Sequence, residues 1–290
     1  MRLLPVMLLC AAAMSASQAA AFDGIRVTLL GTGLAEPPAV EGGPGTVIEA
    51  GDETLLFDCG RGSLERMRRA GVEAFHVTAV FLTTVDAEHV EGCKEIWRAA
   101  LRGSSFQGFS VWGPRGTAEM FHRIDEELGL DERLATRAFD IADNVVYQPE
   151  TITVTAFVSE AGAPPRKFGY RVDAARRAVV LSPDAGAPEN IVRYARGVHL
   201  LMQEVSGRQK SDQSAASRPT PEEAARLFRA ARPYLAVYSH VIAHGASEED
   251  LLRRTRRGYR GLVQVGRDLM VIEIQNEVQI RAAPSEPRLQ

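Results

Sequence analysis

Between Ile25 and Gln275 the chain alternates short apolar strands with amphipathic helices and never breaks for a linker, which confines it to layered α/β architectures. Ile25, Val27 and Leu29 alternate as in a half-buried strand, and LLGTG then opens a Gly/Pro-rich loop running to Gly45. Thr46–Ala50 and Thr54–Asp58 read as two strands joined by a hairpin turn at Gly51–Glu53. Further strands are expected at Ala79–Thr83, Phe109–Trp112, Thr151–Phe157, Ala178–Leu181, Val198–Gln203, Leu235–Ser239 and Leu269–Gln275. Helices are expected at Ser63–Ala70, Val90–Leu101, Ala118–Leu128, Asn190–Ala195, Thr220–Ala231 and Glu248–Gly258. Thr220 with Glu223 three residues on is the signature of a capping box. The Ser-rich stretch Gly207–Pro219 reads as a mobile loop, and no repeat of fixed period is visible.

The first 21 residues do not belong to that pattern. A basic start at Arg2, an apolar run and small residues at Ala19–Ala21 read as a secretory signal, too short to span a bilayer. The expected organisation is a signal peptide over 1–21, one domain over 22–280 and a disordered tail over 281–290. The mature product is expected to be periplasmic or secreted, with no membrane association once the signal is removed. Cys10 leaves with the signal, so Cys59 and Cys93 remain. That number excludes a cysteine zinc cluster. Pairing is open in an oxidising compartment, but two buried thiols are the favoured reading because free cysteine is mostly buried. The formal charge of −3 carries no basic footprint of the kind a polyanion partner requires, so nucleic acid is not expected as a partner. The run RRTRRGYR, Arg253–Arg260, reads first as the solvated face of a late helix and second as a polyanion patch.

Eight short motifs then fall in one order: VTLLGTG (Val27–Gly33), LLFDCGRG (Leu55–Gly62), FLTTVDAEHVEG (Phe81–Gly92), VWGPRGT (Val111–Thr117), KFGYRV (Lys167–Val172), VVLSPDAG (Val179–Gly186), LLMQEVSG (Leu200–Gly207) and VYSHVI (Val237–Ile242). Together they resemble the metallo-β-lactamase superfamily, in its RNase Z and periplasmic arylsulfatase-like branch, over about residues 25–275. The resemblance implies an αββα sandwich of two facing mixed sheets, with metal ligands on loops at one edge.

At the ligand positions the sequence departs from that family. The resemblance places Thr84, Asp86 and, by a one-gap alignment, Glu160 at the first metal position, where the family carries three histidines. It places Glu88, His89 and His240 at the second position and Asp184 at the bridging one. Oxygen-only ligands make a poor zinc site and suit hard cations. The second set keeps two imidazoles, which Zn, Mn or Fe accept. The expectation is therefore one divalent ion rather than two, with an empty site as the alternative. Without a cation the carboxylates would repel one another.

The implied chemistry is hydrolysis of a sulfate or phosphate ester by water activated at a metal, with Asp86 or Glu160 as general base. A further acid–base position of the family falls at Gln203, which cannot readily donate a proton. His244, four residues past His240, reads first as an exposed loop residue, and Trp112 and Phe106 read first as core. A small-molecule ester substrate or ligand is the expected partner, and the family admits a homodimer. The alternative is a catalytically inactive member that keeps the pocket to bind a ligand or partner.

Overall fold

The structure is a computed structural model, and it describes residues 22–33, 42–104, 106–141, 144–160, 166–183, 186–208 and 218–281. The segment expected to be a signal peptide, the residues beyond Arg281, Asp184 and most of the Gly207–Pro219 stretch lie outside the described residues.

The first half of the chain forms β1 (Ile25–Gly31), β2 (Gly45–Ala50), β3 (Glu53–Phe57), β4 (Ala79–Phe81), β5 (Ser110–Gly113) and β6 (Arg137–Asp140). Helices α1 (Ser63–Arg69), α2 (Ala87–Val90), α3 (Cys93–Ala100) and α4 (Thr117–Leu128) lie between them. The second half forms β7 (Asn144–Tyr147), β8 (Ile152–Glu160), β9 (Lys167–Ala174), β10 (Arg177–Ser182), β11 (Leu200–Ser206), β12 (Leu235–Ile242) and β13 (Leu262–Val265). Its helices are α5 (Pro188–Ala195), α6 (Pro221–Ala231) and α7 (Glu248–Arg256). The chain then crosses back through β14 (Val271–Ile274) and β15 (Val278–Arg281).

Among the described residues these make an eight-stranded sheet, β15-β14-β1-β2-β3-β4-β5-β6, and a seven-stranded sheet, β13-β12-β11-β10-β9-β8-β7. Three apolar layers hold them together. Val27, Leu55 and Phe81 of the first sheet meet Val154, Tyr170 and Met202 of the second, all buried. Trp97, Phe109 and Phe121 pack the helices of the first half onto the outer face of the first sheet. Phe228, Tyr238 and Leu251 do the same for the second sheet. The result is the expected αββα sandwich.

Parallel pairing sets where function can sit. β3, β4, β5 and β6 run parallel in one sheet, and β10, β11, β12 and β13 in the other. Loops that follow parallel strands gather at their carboxyl ends, the usual place for ligands in such sheets. Asp58, Thr83, Ser182, Glu204 and His240 all reach one cavity of ≈ 30 Å³ at that edge. It has room for a water-sized group.

Several expectations are corrected here. The helix expected near Val90–Leu101 is α3, Cys93–Ala100, and a further short helix, α2, precedes it, parted by Glu91 and Gly92. Edge strands β6, β7, β13 and β15 and the central strand β9 were not among the expected strands; the four edge strands are four residues each, too short for a clear period. β15 runs to Arg281, the first residue assigned to the tail. Cys59 and Cys93, expected as separate thiols, are joined in a disulfide, their Cα atoms 5.0 Å apart. Their approach follows from local pairing: the Cys59 amide donates to His89 O, and the Gly92 amide to Cys59 O, both at 2.8 Å. Trp112 stacks on Phe81 and Phe139, as a core aromatic does. Among the described residues no helix is long and apolar enough to cross a membrane.

Candidate metal centre

Asp58 is the first residue after β3 and adopts a left-handed conformation, φ 56°, which Asp tolerates better than most side chains. That turn points its buried carboxylate at the end of β4. Oδ1 accepts the Thr83 amide and Oδ2 the Thr83 hydroxyl, both at 2.8 Å. Oδ2 also takes Nδ1–H of His89 at 3.0 Å. With Nδ1 committed, His89 directs Nε2 outward toward Glu88 Oε1 at 3.6 Å and Glu204 Oε1 at 4.0 Å. A carboxylate behind an imidazole in this way fixes ring orientation and tautomer, as behind metal-bound histidines.

Glu88 and His89 come from the short helix α2; His240 comes from the second sheet. Between Gln203/Val205 and Tyr238/Val241 the pairing of β11 with β12 shifts by one residue. The extra residue on β12 is a bulge, a device that re-aims a side chain beside an active site. One donor atom each from Glu88, His89 and His240 lies within 4.8 Å of the others.

Glu204 and Arg218 complete the centre. Arg218 Nε donates to Glu204 Oε2 at 2.7 Å, and Nη2 donates to Glu88 Oε1 at 2.6 Å and to His240 Nδ1 at 3.2 Å. A guanidinium only donates, so His240 Nδ1 is the acceptor. The charges shift one another accordingly. Burial disfavours the His89 imidazolium, but Asp58, Glu88 and Glu204 outweigh it and push its pKa up to about 10. Burial also opposes ionisation of Glu204, which His240, His89 and Arg218 together hold down at about 2. The hydrogen bond to His89 holds Glu88 far below the usual carboxylate range, against burial and with help from Arg218. Arg218 is raised further by its two carboxylates although burial works against it.

The expected site residues separate into three groups. Glu88, His89 and His240 are brought together as expected. Asp86 stands apart from that group, its Oδ2 3.4 Å from Lys167 Nζ and its amide donating to the Thr84 hydroxyl at 3.2 Å. Glu160 ends β8, but its side chain, like Asp184, lies outside the described residues. Gln203 is the correction. Leu201 and Val205 of β11 face the helix layer, Leu200 and Met202 the inter-sheet core. Period-two alternation therefore turns Gln203 toward the helices, where Nε2 donates to Ser182 O at 3.1 Å, and turns Glu204 into the site. His244 is exposed and accepts from Arg208 Nε at 3.2 Å, outside the donor group. Asp58, Glu204 and Arg218 were missed; the alternation of β11 was the signal for Glu204.

The donor chemistry fits a divalent ion. Two imidazoles and a carboxylate, one imidazole braced by Asp58, are a set that Zn²⁺, Mn²⁺ or Fe²⁺ accepts. Of the residues expected at the first position, Asp86 faces an ammonium group and Thr84 brings only a hydroxyl, and the Glu160 side chain lies outside the described residues.

A protein-family profile described as a β-lactamase superfamily domain matches residues 53–241. Ribonuclease Z of Mycobacterium sp. (strain KMS) is 27% identical over 284 residues, covering 89% of this chain and 99% of its own. Among solved structures, the metallo-β-lactamase fold protein YhfI of Bacillus subtilis superposes with a TM-score of 0.74 at 21% identity, covering 87% of this chain and 99% of its own. The short form of human tRNase Z superposes with a TM-score of 0.69 at 21% identity, over 86% and 99%. These names overturn the expectation that nucleic acid is excluded as a partner. Net charge averages over the whole surface and does not exclude one polyanion site.

Proposed function

Since the chain belongs to the metallo-β-lactamase superfamily and has the fold of its hydrolases, we propose that it is an exported phosphodiester hydrolase working with one divalent ion. RNA is the first substrate class to try, given relatives named ribonuclease Z. The observation that carries the reading is the donor group Glu88, His89 and His240, with His89 braced from behind by buried Asp58. Export is supported by the Arg2-led apolar segment and by the Cys59–Cys93 disulfide, a bond that persists in oxidising compartments.

A divalent ion held by that group supplies Lewis-acid polarisation of an ester oxygen and activation of water. The chain supplies the rest. Asp58 fixes the His89 ring so that Nε2 alone faces the site. Glu204 stays ionised and orients Arg218. Asp86, about half exposed and two residues before Glu88, is assigned as the general base, which requires its carboxylate to leave Lys167. Asp184 is assigned as the remaining ligand and Glu160 as a second candidate base.

The test is elemental analysis of the mature protein purified without chelator or His-tag, with hydrolysis of bis(p-nitrophenyl) phosphate, an RNA oligonucleotide and p-nitrophenyl sulfate. About one equivalent of Zn, Mn or Fe, lost with phosphodiesterase activity in His89→Ala/His240→Ala, is the expected result. Cleavage of the sulfate ester alone would redirect the substrate class. No ion above background, and no activity when Mn²⁺ or Zn²⁺ is added, would overturn the reading. A second reading, a catalytically silent binding protein, is favoured by one contact: Arg218 already neutralises the carboxylates an ion would use.

A further inference from the structure

Arg218 Nη2 sits 2.6 Å from Glu88 Oε1 and 3.2 Å from His240 Nδ1, two of the three groups that would hold an ion. Ligand bonds to Zn²⁺ run about 2.0–2.2 Å from oxygen and nitrogen donors. A guanidinium nitrogen at those distances occupies a lone pair on each of two groups from which an ion would draw its ligands.

The charges agree with that geometry. Glu88 and Glu204 both approach His89 Nε2, at 3.6 and 4.0 Å, so two carboxylates converge where one cation belongs. Arg218 bridges them, Nε on Glu204 and Nη2 on Glu88, with its side chain only 14% exposed. Pro219 follows Arg218, and Thr220 is the capped start of α6, so only the side chain has to swing for the position to be vacated.

We propose that Arg218 is a built-in counter-cation, and that its guanidinium and a divalent ion compete for Glu88 and His240. The inference rests on the reading that Glu88, His89 and His240 hold an ion. The protein is then stable with no ion, and loading one means displacing the Nη2 contacts. Weak apparent ion affinity follows, because each binding event must first break two hydrogen bonds to a charged group.

The test is Mn²⁺ titration by calorimetry, with melting temperature in EDTA and in Mn²⁺, for the wild type, Arg218→Gln and Arg218→Lys. Arg218→Gln is expected to bind Mn²⁺ at least tenfold more tightly than the wild type. Its melting point should fall in EDTA, where Glu88 and Glu204 lose the Arg218 charge, and recover in Mn²⁺, whereas the wild type should respond little to either. Arg218→Lys keeps the charge but not the three-acceptor fork, and should fall between the two; it carries the test if Arg218→Gln does not fold. Wild type and variants binding Mn²⁺ equally well, or the variants binding it less well, would overturn the competition and leave the metal site standing. No Mn²⁺ bound by any of the three, with melting indifferent to it, would overturn both.

Discussion

Asp58 and His89 lie 31 residues apart in sequence, and the buried Asp58 carboxylate takes Nδ1–H of His89 at 3.0 Å. Asp58→Asn keeps a residue that tolerates φ 56° but removes the charge and one of the acceptors that Thr83 and His89 share. Breaking a buried pair of this kind costs about 3 kcal/mol. Urea unfolding should show that loss, and calorimetry with Mn²⁺ about a 10–100-fold weaker ion affinity, the usual effect of removing such a brace. Unchanged stability and affinity would remove Asp58 from its orienting role.

Gly33 follows β1 at φ 72°, and a Cβ there would lie 2.8 Å from both His240 Cδ2 and Val241 O. Gly33→Ala should cost roughly 1–2 kcal/mol for the left-handed backbone alone. It should also push the His240 ring out of the donor group, so thermal unfolding and ion affinity fall together. A loss of stability with ion binding intact would mean that the His240 ring can yield without leaving the site.

Arg254 is buried, and its guanidinium ties α7 to Glu222 through two hydrogen bonds of 2.8 Å and to Gly207 O and Arg208 O at 2.7 and 2.6 Å. The hydrogen bond from Arg254 holds the Glu222 carboxyl below its ordinary range. A carboxylate with a lowered folded pKa contributes stability that is full above its unfolded pKa and lost as pH falls through the folded one. Glu222→Gln should therefore destabilise the protein at neutral pH, by about 1 kcal/mol given the solvent that reaches Glu222. The gap to the wild type should close on acidification below the carboxylate range, as followed by denaturation across a pH series. A gap that stays constant with pH would assign the loss to packing.

Thr220 accepts the Glu223 amide, and the Glu223 side chain accepts the Thr220 amide in return. Thr220→Ala should cost about 1 kcal/mol in denaturant midpoint. Because Arg218 enters the site two residues before this cap, the same variant should also loosen the Arg218–Glu204 contact, read as a rise in Mn²⁺ affinity.

That capping box was legible because it is local: two residues three apart, each serving the other's amide. Glu88, His89 and His240 were legible for a different reason, the order of short motifs around them. Asp58 stood inside one of those motifs, yet nothing nearby marks it as the partner of His89, since the contact exists only when β3 and β4 pair. Arg218 is further from view, 130 residues from Glu88 and beside a Ser-rich stretch that reads only as loop. Gln203 was chosen over Glu204 by position in a motif, when the alternation of Leu200, Met202 and Glu204 on one face of β11 pointed the other way. The disulfide depended on the Cα separation, which spacing along the chain cannot supply.

The Cys59–Cys93 bond closes a covalent macrocycle, and Thr83, Asp86, Glu88 and His89 are all strung along its perimeter. Cross-linking a segment of that length removes conformational freedom from the unfolded chain worth about 3–4 kcal/mol. A chain synthesised among reduced thiols lacks this closure, and its Glu88–His89 segment is held by non-covalent contacts alone. Two preparations of the same sequence, one made in each kind of compartment, are therefore chemically different proteins. Ion content or turnover measured on one does not carry over to the other until its thiols have been counted.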